Sequence, residues 1–101
     1  MNVYHARTQQ EKADGVSVFE RDQFTRSAMI FHDIGPGSHF HMSTVDYPIG
    51  ILSLDEGGKI LDKSIMAARS GAYTTPWGTY NVVEISMDIY NDLDVGKLFL
   101  L

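Results

Sequence analysis

Apolar and polar residues alternate along this chain in short blocks of strand length, and the clearest blocks lie in Ser38 to Leu61, SHFHMSTVDYPIGILSLDEGGKIL. Phe40 and Met42 alternate with His39, His41 and Ser43. That period of two belongs to a strand with one apolar face and the imidazoles on the other. Ile49 to Leu54 is a nearly continuous apolar run after Pro48, as a buried strand requires. Asp55-Glu56-Gly57-Gly58 then supplies residues that tolerate positive φ, so a tight hairpin is predicted, with Lys59 to Ala68 as the returning strand. Helix propensity in Ile65-Met66-Ala67-Ala68-Arg69 competes with that last assignment.

The flanks follow the same logic. Val3 to Ala6 reads as a strand, and Thr8 with Glu11 forms a capping-box pattern for a helix that Gly15 would stop within two turns. Glu20 to Arg26 is polar and irregular and reads as surface loop. Ala28 to Phe31 is a buried strand ended by Gly35-Pro36-Gly37. Ser70-Gly71 and Thr75-Pro76-Trp77-Gly78 bracket a loop, after which Thr79 to Ile85 is β-branched, aromatic and a strand. Met87 to Leu93 suits one or two helical turns, and Leu98 to Leu101 a final strand. The sum is a mainly β (or α+β) single domain spanning residues 1–101, an antiparallel barrel or sandwich of about seven strands with two short helices.

Composition narrows the partners. With 44% hydrophobic and 21% charged residues the chain can bury a core. Its 8 basic and 13 acidic residues give −5, which repels phosphate backbones and anionic lipid, so no nucleic acid and no membrane partner is expected. There are no cysteines, which removes disulfides, thiolate metal sites and cysteine nucleophiles. Neither a leader-like N-terminus nor a long apolar run is present, so a cytoplasmic monomer or weak homo-oligomer is the expectation, with a small molecule or a protein as partner.

Several motifs together resemble the small β-domain family catalogued as domain of unknown function 192. Its pattern of T-x-x-E-R-x-x-G-L-M, G-M-L-F, F-W-M-x-N-T-x-x-P-L-D, D-x-x-G-x-I, V-L-E and V-G-D is matched in order. The matches are Thr8, Glu11, Gly15 and Val16; Ala28 to Phe31; Phe40 to Gly50; Asp55, Gly58 and Ile60; Val83-Glu84-Ile85; and Val95-Gly96-Lys97. The apolar positions persist while polar ones change: the family's tryptophan is His41 here, its Asn-Thr pair Thr44-Val45, one aspartate Gly50 and another Lys97. The resemblance implies a compact mainly β fold and no established activity.

The sharpest chemical candidates are histidines. His39 and His41 project from one strand face, and with His32, aided by Asp33 or Asp46, they could share a divalent metal. Solvated or hydrogen-bonded surface imidazoles are the plainer alternative. Tyr73 and Trp77, with Thr74 to Gly78 and Tyr80, could line a small-molecule pocket, although a single tryptophan more often packs in a core. Asp88, Asn91, Asp92 and Asp94 lack calcium-loop spacing. No nucleophile elbow, phosphate loop or H-E-x-x-H motif occurs, and Asp55-Glu56 is a solvated turn pair. The expected function is a non-enzymatic ligand-binding or protein-interaction module with His39, His41, Tyr73 and Trp77 at its site. The alternative is a small metal-dependent enzyme on a cupin-like barrel, using His32, His39 and His41. An apolar C-terminus, Leu98 to Leu101, could also pack on a partner.

Overall fold

The computed structural model describes residues 1–99. Five strands form one sheet in the order β1-β2-β7-β4-β5, and two more form a separate ribbon, β3-β6. Their ranges are β1 Asn2–Ala6, β2 Ser27–Phe31, β3 His39–His41, β4 Ile49–Leu54, β5 Ile60–Met66, β6 Ala72–Thr74 and β7 Asn81–Ile85. The fold is thus mainly β with two short helices, α1 (Gln9–Asp14) and α2 (Met87–Tyr90). The expected antiparallel barrel is corrected here: among the described residues the large sheet stays open, with β1 and β5 at its edges, and it is mixed rather than antiparallel, because α1 and the turns after it cross over between β1 and β2, which run parallel.

Period-two alternation divides the core. Met29, Phe31, Ile49, Ile51 and Val82 face one cluster, with Val16, Met42, Val45 and Tyr47. Ala28, Ile30, Leu52, Leu54, Val83 and Ile85 face the other, capped by Ile89, Tyr90 and Phe99. We call the first the ribbon face, since Phe40 and Tyr73 of the ribbon pack against it. Apolar area buried on both sides explains why β2 and β4 read as continuous apolar runs.

The hairpin turn is built as its residues require. Asp55 Oδ1 accepts from the backbone N–H of Gly57 and of Lys59, each at 2.9 Å, while Gly58 takes φ +89°. The capping box is equally direct: Thr8 accepts from Glu11 N–H at 3.1 Å and Glu11 accepts from Thr8 N–H at 2.9 Å.

Three further expectations are corrected. The span Glu20 to Arg26 is not plain loop: it contains a 3-10 turn, Arg21–Gln23, and Phe24 is buried between Phe19 and Tyr47, with ring centroids at 5.7 and 6.5 Å. The stretch between Ser70 and Thr75 is not loop throughout, because β6 pairs there with β3, Phe40 opposite Tyr73. Among the described residues the C-terminal strand is one bridge, Leu98 to Lys59, with Phe99 buried in the second core cluster and Leu98 exposed. Leu100 and Leu101, the rest of that expected strand, lie outside the described residues.

Candidate functional site

Glu84 is a carboxylate in a core position. On β7 it sits between Met29 of β2 and Ile51 of β4 in register, so it must point to the ribbon face with them. It is only 5% exposed. Its carboxyl nevertheless lines a cavity of about 290 Å³, whose other walls include Gly15, Phe31, His39, Phe40 and His41. That size is at the small end for ligand pockets.

Local sequence shapes this cavity. Gly15 ends α1 at φ +52°, a conformation that suits glycine. A side chain there would begin 3.4 Å from Phe31 Cζ and 3.5 Å from Glu84 Oε1, so the glycine keeps the carboxyl uncovered. The following 3-10 turn, Gly15–Val18, is fastened from below: Tyr47 Oη donates to Val16 O (3.1 Å) and Phe19 O (3.0 Å). Burial, with the Glu84 and Asp46 charges behind it, pushes the Tyr47 hydroxyl up to about 12, so it stays a donor at any ordinary pH. Desolvation by burial pushes the Glu84 carboxyl from 4.5 up to about 8, against a smaller opposing pull from the Val16 backbone N–H. At neutral pH it is chiefly a neutral acid.

The histidine triad does not assemble. The alternation that sends Phe31 to the ribbon face sends His32 to the opposite one, where its Nε2 lies 2.8 Å from His5 Nδ1 and the rings stack at 5.1 Å. Desolvation, then Arg7 and His5, holds the His32 imidazole below its ordinary value. His39 Nδ1 bonds Thr74 Oγ1, and His41 Nδ1 bonds Ser43 Oγ, each at 2.9 Å. Asp46 pairs loosely with Arg69 at 3.8 Å. Among the described residues no group of three or more His, Cys, Asp or Glu side chains is placed to hold a metal. The acidic stretch after β7 is used structurally, Asp88 accepting from Arg26 N–H at 3.0 Å.

Of the four expected ligand-site residues, His39 and His41 border the cavity over Glu84, while Tyr73 and Trp77 do not. Tyr73 Oη donates to Asp62 Oδ2 at 2.8 Å and lies 2.7 Å from Ser53 Oγ, which ties the ribbon to the sheet. Burial, as the largest cause, raises that hydroxyl to about 12. Trp77 is neither pocket nor core: Pro76 and Gly78, at φ +91°, hold it at a loop apex, 89% exposed. Pattern reading passes over Glu84. Its signal is a lone acid at an inward position of Val82-Val83-Glu84-Ile85.

No family model and no curated protein matches the chain. Its fold is similar to the crystal structure of a protein of unknown function from Novosphingobium aromaticivorans DSM 12444. The TM-score is 0.77 at 20% identity, over 95% of this chain and 71% of that one. At that identity the likeness shows the mainly β fold. No specific function comes with it.

Proposed function

We propose that the protein is a small ligand-binding β module of sandwich-like build, a divergent relative of the domain of unknown function 192 family, and that the cavity over Glu84 is its binding site. The observation that carries this reading is a carboxyl, on a residue only 5% exposed, that still faces an open cavity. Desolvating an unpaired acid is costly, and a position between Met29 and Ile51 would hold an aliphatic side chain at no such cost. A ligand that uses the carboxyl explains its retention. His39 and His41 extend the polar rim, and Phe31 and Phe40, meeting edge to face at 5.3 Å, give an apolar wall. The family reading is supported by where its motifs fall: Thr8 and Glu11 make the cap, Gly15 the opening, Asp55 the turn and Glu84 the floor.

A fragment screen followed by amide NMR tests this. Binders should shift the resonances of Gly15, Val16, His39 to His41 and Glu84, and Glu84→Gln should weaken them. Fragments that cluster elsewhere, or bind equally well to the variant, would refute the site.

A further inference from the structure

The nature of the ligand follows from what Glu84 lacks. Resting on the pocket reading above, we infer that the cavity takes a compact organic cation, an ammonium or guanidinium group on a short apolar stem, with Glu84 as its counter-ion. Among the described residues no cationic side chain forms an ion pair with the carboxyl, although it lines the cavity. Among those same residues the single ion pair is Arg69 with Asp46, elsewhere on the surface. A buried carboxyl without a cation is half of an ion pair, and a cation that binds beside it against the protein wall gains more from it than in bulk water.

The walls suit the same guest. The Phe31 ring reaches the space beside Glu84 Oε1 that a Gly15 side chain would fill, and Phe40 packs against Phe31. Aromatic carbon accepts both alkyl stems and positive charge. The titratable groups around the cavity are Lys12 and Asp14 beside Gly15, His39 and His41 from β3, and Glu84, with Tyr47 behind. Met29 and Ile51, on the strands flanking Glu84, are apolar. Lys12 is the feature that would favour an anion instead. Against it stand Asp14 at the same rim and the net charge of −5, which both concentrate cations.

Binding then carries a proton step. Glu84 starts protonated, and on meeting R–NH3+ its O–H proton leaves to buffer, giving the carboxylate–ammonium pair; no other bond changes. Affinity should therefore rise about tenfold per pH unit below about 8 and level off above it.

The test uses n-butylammonium, n-butylguanidinium, pentanoate and pentanol, titrated into the protein from pH 6 to 9 and followed by amide NMR and calorimetry. The two cations should shift Gly15, Val16, His39 to His41 and Glu84, with affinity rising with pH. The binding heat should depend on the buffer's ionisation enthalpy, and Glu84→Gln should lose at least tenfold. The pH profile of the unaltered protein tests the counter-ion role without any variant. Pentanoate or pentanol binding at these residues while the cations do not would overturn the cation and leave the pocket standing. Cation binding that is flat with pH would remove Glu84 as counter-ion. No shift from any probe would overturn both readings.

Discussion

Glutamine at position 84 keeps the shape of the side chain and removes its titration, so Glu84→Gln isolates the cost of the buried acid. Burial raises the carboxyl from 4.5 to about 8. Each tenfold change in proton affinity is worth about 1.4 kcal/mol, so the full effect is on the order of 5 kcal/mol. That rivals the whole stability of a marginal domain, about 5 to 15 kcal/mol. Its direction follows from which state holds the proton. In acid, below 4.5, folded and unfolded chains are both protonated and the penalty is absent. Between 4.5 and about 8 the unfolded chain has lost its proton while the folded chain keeps it, so wild-type stability falls as pH rises. Above about 8 both are ionised and the penalty is constant at its largest. Urea unfolding of the two proteins, followed by circular dichroism from pH 4 to 9, should find them close in stability at the acid end. The variant should then become more stable by up to about 5 kcal/mol at the alkaline end. A gap that does not widen with pH, or that favours wild type more as pH rises, would refute the reasoning.

Other substitutions probe the scaffold. Gly50→Ala would place a methyl carbon 2.2 Å from Tyr90 Cδ1 and 2.9 Å from Ile85 Cγ2, so denaturant unfolding should show a loss of about 1 to 3 kcal/mol. Tyr73→Phe strips a hydroxyl from fully buried Ser53 and from Asp62, and a loss of about 1 to 3 kcal/mol is expected in the same assay. Trp77→Ala, at an 89% exposed site, should change stability by less than about 0.5 kcal/mol. The fluorescence of this sole tryptophan should already match that of a solvated indole and move little on unfolding.

Much of the scaffold was legible because local rules and tertiary demands agree in it. The alternation around Phe40, the apolar runs at Ala28 and Ile49, the Asp55 turn and the Thr8 cap each carry their structural reason in a few adjacent residues. What pattern reading missed depends on partners far along the chain. Strand β6 has only Ala72, Tyr73 and Thr74 and exists because β3 is there to pair with. Phe24 is buried by Phe19 and Tyr47, not by its polar neighbours in sequence. The site was half legible for the same reason. His39 and His41 stand out as a pair, but His32 is separated from them by the sheet itself, which strand alternation at Phe31 decides. Tyr73 and Trp77 are near neighbours in sequence, yet the tyrosine hydroxyl is sewn into the sheet and the indole hangs in solvent. Glu84 was hidden among valines, and only the strand register places it under a cavity.

A protonated carboxyl facing an open cavity underlies both the proposed site and its ligand, and carbon NMR of the Glu84 side-chain carboxyl, titrated in the free protein, measures it directly. A midpoint near 8, with amide shifts at Val16 and Gly15 following the same curve, is the predicted result. A midpoint in the ordinary glutamate range, near 4.5, would contradict it.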